Sequence, residues 1–158
     1  MNDMSAEFPG PTPQLVVHDA GRAVAFCRRA FGADELVRNH APDGRIMHCE
    51  LLMFGGRILV ADDFDEDPVC SPGQLGGSTV RLHLYVPDVE TVYAKALEAG
   101  ARPVMPPQDA FWGDRYAMVQ DPCGHYWSIA TAQEDLTVAE LEERGDDWSR
   151  RQDSRRRA

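Results

Sequence analysis

Histidine and glutamate stand two residues apart in His48-Cys49-Glu50, and arginine, histidine and tyrosine alternate through Arg81-Leu82-His83-Leu84-Tyr85. Side chains two apart share one face of a strand, so each run would present its polar members together. An imidazole beside a carboxylate is the equipment of proton transfer or of divalent-metal coordination, which makes Glu50 and His83 the candidate catalytic groups. A third run, Asp109 to Arg115, carries Phe111, Trp112, Gly113, Asp114 and Arg115. It holds too many aromatics for an idle loop and is expected either to lid a cavity or to pack on a partner chain. An indole supplies a broad apolar surface with one donor, suited to stacking on a planar ligand. Arg115 would either pair with Asp114 or hold a ligand carboxylate or phosphate.

Other chemistries find no support. There is no G-x-S-x-G, no phosphate-cradling glycine loop before a helix and no H-E-x-x-H. Cys27, Cys49, Cys70 and Cys123 contain no C-x-x-C pair, which argues against a disulfide framework and a thiolate zinc site. The formal net charge of -10 over 158 residues opposes binding to nucleic acid or an anionic membrane. With no apolar run of about 18 residues and an acidic start, the chain is expected to be cytoplasmic.

The elements that would position these residues repeat. Gln14 to Ala33 and His83 to Ala101 each read as an apolar strand, an aspartate, an amphipathic helix and Gly-Ala. Asp19 and Asp88 stand where an N-cap belongs, Gly32 and Gly100 where a left-handed C-cap belongs. Three strand-like segments follow each helix: Glu35 to Asn39, Arg45 to Phe54 and Arg57 to Asp62, then Arg102 to Met105, Tyr116 to Gln120 and His125 to Thr131. Each half is therefore β-α-β-β-β, at an offset of about 68 or 69 residues (Gly32 to Gly100, Asp19 to Asp88). Module one is expected over 11–62, a Pro- and Gly-rich loop linker over 63–78 and module two over 79–132. A C-terminal helix over 133–149 is signalled by the capping-box spacing of Thr137 and Glu140. Residues 1–10 and 150–158 are expected to be flexible tails.

The stretches LVVHDAGRAVAFCRRAFGA, LHLYVPDVETVYAKALEAGA and FWGDRYAMVQDPCGHYWSIAT, in that order and over residues 11–132, resemble the vicinal oxygen chelate superfamily, in particular its glyoxalase and bleomycin-resistance-like branch. The resemblance implies an α+β fold in which two β-α-β-β-β modules form a cavity of curved mixed sheets, with a homodimer carrying pockets near its interface. Metal-using members place His and Glu ligands on the first and last strands of each module. The matching positions here are Thr12, Arg81 and Ser128, with Asp62 the one carboxylate near the fourth. A guanidinium repels a divalent ion and two hydroxyls replace its ligands, so no metal or other cofactor is expected. His48, Glu50 and His83 would supply a displaced divalent site only if the fold brought them together.

If the family register holds, Tyr126 and Ser128 face the cavity and Trp127 is core. Gln14, His48, Glu50, Arg81, His83, Tyr85, Trp112, Arg115, Tyr126 and Ser128 are the expected ligand-binding residues. The leading expectation is a metal-free small-molecule-binding protein that holds a planar or amphipathic compound, as in antibiotic sequestration. The alternatives are a lyase, isomerase or epimerase acting next to a carbonyl through His83 or Glu50, with or without a divalent metal, and an interaction module with a vestigial cavity.

Overall fold

Residues 10–156 are described in a computed structural model. Module one consists of β1 (Gln14–Val17), α1 (Ala20–Phe31), β2 (Asp34–His40), β3 (Ile46–Met53) and β4 (Gly56–Asp62). Module two consists of β5 (Arg81–Tyr85), α3 (Val89–Glu98), β6 (Arg102–Asp109), β7 (Asp114–Gln120) and β8 (Tyr126–Ala132). Each forms a four-stranded mixed sheet, ordered β1-β4-β3-β2 and β5-β8-β7-β6. The first and last strands of each module are the parallel pair and the remaining pairs are antiparallel. This is the expected α+β arrangement of two β-α-β-β-β modules followed by a C-terminal helix.

The helices begin where short acidic side chains satisfy free amides. Asp19 accepts from the backbone N–H of Arg22 at 2.8 Å and Asp88 from that of Glu90 at 3.1 Å. Gly32, at φ 65°, closes α1 in the left-handed region. In module two Ala99 is the cap, in a right-handed conformation, and the left-handed turn falls one residue later at Gly100.

Asp62 ties the start of α1 to the start of β3. Its Oδ1 accepts from Ala20 N–H at 2.7 Å and its Oδ2 from Ile46 N–H at 2.6 Å. Asp121 has the parallel duty in module two, accepting from Cys123 N–H, His125 N–H and the indole N–H of Trp127. Both carboxylates hold backbone where the sequence had offered Asp62 as a cation ligand.

One core serves both modules. α1 packs on α3, and Phe31 meets Trp127 with ring centroids 4.8 Å apart. The buried cluster draws Val17, Val24, Phe26, Cys49, Leu51 and Val60 from the first module and Leu82, Val89, Ala117, Val119, Trp127 and Ile129 from the second. Residues alternating with these point to the other side of each sheet, which no helix of the same module covers. The modules thus join through their helical sides, and each presents a helix-free face outward.

Three expectations are corrected. The linker contains a one-turn helix, α2 (Pro72–Leu75), with the backbone N–H of Ser71 directed at Gln74 Oε1. Strand β6 runs through Pro106 and Pro107 to Asp109; it is an edge strand, so the prolines remove no central ladder bond. The run Asp109 to Arg115 is consequently the tip of a β6–β7 hairpin. The C-terminal helix, α4 (Val138–Arg156), starts within the expected segment but continues into the stretch read as a flexible tail. Thr137 and Glu140 do form a reciprocal capping pair at its start. The expectation for residues 1–10 falls, except at Gly10, outside the described residues.

Candidate binding face of module two

The helix-free face of module two is built in rows across β5, β8 and β7. Tyr85, Ala130 and Tyr116 stand in register in one row, His83, Ser128 and Met118 in the next, and Arg81, Tyr126 and Gln120 in the third. Ser128 and Ala130, the small residues of the central strand, are buried beneath the larger side chains that flank them. Tyr85 is 58% exposed, while Ser128 on the floor is 2% exposed.

The walls form a circuit of rings. His83 meets Tyr85 edge-on at 4.8 Å between centroids and lies nearly parallel to Tyr116 at 6.2 Å. Tyr116 in turn meets Trp112 edge-on at 5.3 Å. The fourth side is closed by Asp114: Tyr85 Oη donates to its Oδ2 at 2.9 Å and Trp112 Nε1 donates to the same oxygen at 2.7 Å. Asp114 is 5% exposed, and its hydrogen bond holds the Tyr85 phenol above its ordinary pKa. Arg81 Nη1 reaches the hydroxyl of Tyr116 at 3.1 Å, at the outer end of that ring.

His83 is oriented from below. Its Nδ1 is 2.7 Å from Ser128 Oγ, which also faces the carbonyl oxygen of Leu82 at 3.3 Å. A hydroxyl carries one proton, so both contacts are made when Ser128 donates to Leu82 and accepts from Nδ1–H. Nε2 is then the acceptor of the neutral ring.

The tip bearing Trp112 is braced from outside the sheet. Trp112 packs edge-on against Phe111 at 5.1 Å, and Phe111 packs on Trp148 of α4 at 5.5 Å. Gly113, at φ 90°, accepts with its carbonyl from the N–H groups of Gln133 and Glu134. A Cβ there would lie 3.1 Å from Glu134 and from Leu136, so this close approach requires glycine.

Module one offers a smaller polar cluster on its own helix-free face. His48 Nε2 lies 3.1 Å from Glu50 Oε1, and Arg57 Nη1 donates to Glu50 Oε2 at 2.8 Å. These bonds, that of His48 first, hold the Glu50 carboxyl below the usual carboxylate range. With both oxygens engaged and its basicity lowered, Glu50 is a poor proton acceptor. Gln14 stands on edge strand β1 and lines, with Leu15, Pro72, Val80, Leu82 and His125, a separate cavity of about 380 Å³ under the linker.

Of the expected residues, the fold brings together Arg81, His83, Tyr85, Trp112, Tyr126 and Ser128. His48 and Glu50 lie on the outward face of the other sheet, across the shared core, so they do not converge with His83 in one chain. Arg115 points to the other side of β7 from Asp114: Nε donates to Glu90 of α3 at 2.7 Å and Nη1 to Asp109 at 3.1 Å. It belongs to a surface ion-pair network on the other side of the sheet from His83, Tyr85 and Tyr116, because neighbours on a strand face opposite ways. Sequence reasoning missed Tyr116, Asp114 as the anchor of the rings, and Arg57. The alternation Trp112-x-Asp114-x-Tyr116 was the available signal for the first two.

Residues 11–129 match the model of the Glyoxalase/Bleomycin resistance protein/Dioxygenase superfamily. The uncharacterised protein Mb0911c of Mycobacterium bovis is 39% identical over 139 residues, covering 85% of this chain and 90% of its own. Among solved structures, TioX from Micromonospora sp. ML1 superposes with a TM-score of 0.60 at 30% identity, over 77% of this chain and 98% of TioX. The fosfomycin resistance protein FosX from Listeria monocytogenes superposes with a TM-score of 0.62 over 84% of this chain and 96% of its own, at 15% identity, a likeness of fold alone. A family model spanning most of the chain and a matching order of strands in both modules lead to one conclusion: the chain belongs to the Glyoxalase/Bleomycin resistance protein/Dioxygenase superfamily.

Proposed function

We propose that this protein binds a small organic molecule on the helix-free face of module two, without a metal, and sequesters it. The observation that carries the reading is the ring circuit of His83, Tyr85, Trp112 and Tyr116, fixed at one corner by Asp114 above the small floor of Ser128 and Ala130. Concave aromatic walls with a few oriented polar groups are what a ligand site requires. Kinship with a family that includes resistance proteins makes an antibiotic or another toxic compound a suitable ligand class.

The metal-free part rests on donor chemistry. The positions where metal-using relatives carry His and Glu hold Arg81, whose guanidinium donates to Tyr116, and Ser128, whose hydroxyl is engaged with His83 and Leu82. Thr12 precedes β1 altogether. That set does not fit a divalent ion.

The homodimer is part of the same proposal. Each helix-free face is half of a cup, and a second copy would lay its His48–Glu50–Arg57 face over the aromatic face of the first. The protein would act in the cytosol, where no partner but its ligand and its second copy is required.

A second reading has its own support. Donation from His83 Nδ1–H to Ser128 Oγ leaves Nε2 as an acceptor, the arrangement of a general base in a lyase, isomerase or epimerase.

Titration of intrinsic tryptophan fluorescence with a panel of planar aromatic antibiotics tests the proposal. Saturable quenching in the wild type that weakens in Trp112→Ala is the expected result, and equal responses would remove Trp112 from the site. Stoichiometric Ni, Zn, Fe or Mn in protein purified without chelator would overturn the metal-free reading, and a monomer in light scattering would overturn the closed cup.

A further inference from the structure

Asp114 is a nearly buried carboxylate whose two hydrogen bonds come from neutral donors, the phenol of Tyr85 and the indole of Trp112. Neither cancels its charge. The guanidinium adjacent in sequence, that of Arg115, is taken up by Glu90 and Asp109 on the other side of the strand. A carboxylate held in poor contact with water is a costly arrangement unless a positive charge completes it.

The rings around it are suited to that charge. Donation from Tyr85 and Trp112 to an anion pushes electron density back into both π-systems, which strengthens the negative potential over their faces. Tyr116 and His83 complete the box, nearly parallel to one another. An anion would meet Asp114, and a neutral planar compound would use the rings but leave the carboxylate unanswered.

From these observations we infer that the ligand of this face is an organic cation, a quaternary or tertiary ammonium, seated in the box of His83, Tyr85, Trp112 and Tyr116 at the end closed by Asp114. The inference rests on the small-molecule-binding reading above and narrows it to one ligand class. Arg81, bonded to the Tyr116 hydroxyl, sets the polarity of the site. It repels the cation from the opposite end and offers a donor to an acceptor elsewhere on the same ligand. The formal charge of -10 draws cations toward the protein as a whole.

The test compares choline with its neutral carbon isostere 3,3-dimethyl-1-butanol by ligand-observed NMR on the full-length protein, beside the panel of neutral planar aromatics. Choline is expected to bind about tenfold more tightly than the isostere, the scale of a desolvated cation–π contact. Trp112→Leu, which removes a ring and a donor without touching the carboxylate, is expected to abolish the preference, as is Asp114→Asn. If Asp114→Asn loses its native circular dichroism, Trp112→Leu decides alone. Equal affinity for choline and its isostere, or a preference that survives in Trp112→Leu, overturns the cation assignment and leaves the binding reading standing if neutral aromatics still bind. Folded protein that binds neither the cation nor any aromatic of the panel overturns both.

Discussion

His83 and Ser128 are 45 residues apart in the chain and directly opposite one another on parallel strands, with Nδ1 2.7 Å from Oγ. Ser128→Ala should release the ring. Long-range nitrogen–proton NMR is expected to show the Nδ1–H tautomer in the wild type and a shift toward Nε2–H in the variant. The lost hydrogen bond costs about 1 kcal/mol in chemical denaturation. An unchanged tautomer would show that Ser128 does not orient His83.

Asp62→Ala leaves two buried amides, those of Ala20 and Ile46, without acceptors. With about 1–3 kcal/mol for each unsatisfied group, the variant should lose a large part of the fold's stability. Urea unfolding of the variant against the wild type measures it, and a loss under about 1 kcal/mol would mean that water replaces the carboxylate.

His125 is largely buried, and burial pushes its pKa below the ordinary 6.5. The unfolded chain therefore takes up a proton that the folded chain resists, so the contribution is fully present above about pH 6.5 and is lost as the pH falls below it. The melting temperature of the wild type should fall more steeply between pH 7.5 and 5 than that of His125→Leu. Parallel slopes would show that His125 does not titrate across unfolding.

The thiols should separate by reactivity. Cys27 and Cys49 are buried, Cys123 is pushed up to about 12 chiefly by burial, and Cys70 is exposed. Because the thiolate is the reacting form, iodoacetamide at pH 7.5 should add rapidly to one site, Cys70, by peptide mass spectrometry. Rapid modification of Cys27 would indicate that the shared core opens.

Both modules were legible because their signals are local. Asp19 with Gly32 and Asp88 with Gly100 bracket amphipathic runs, and Gly-rich turns separate strands whose faces alternate. The same alternation put Arg81, His83 and Tyr85 together. What escaped depended on where strands begin and on pairing across the sheet. β7 starts at Asp114, two residues before the segment read from sequence, and this sends Asp114 and Arg115 to opposite faces and dissolves their expected pair. The contact of Arg57 with Glu50 lies across a hairpin, where short-range spacing carries no information. The long α4 was underestimated because its composition is so polar; ion pairs such as Arg144 with Glu134 and Arg150 with Asp147 supplement its cap.

The union of the modules through α1, α3 and the Phe31–Trp127 contact also bears on how such proteins diversify. Residues that build the shared core and residues that form the outward face alternate along the same strands. Substitutions at Arg81, Tyr116 or Met118 can alter the outward surface while Leu82, Ala117 and Val119 keep the interior intact. The outward face can then change one side chain at a time, with no remodelling of the scaffold beneath.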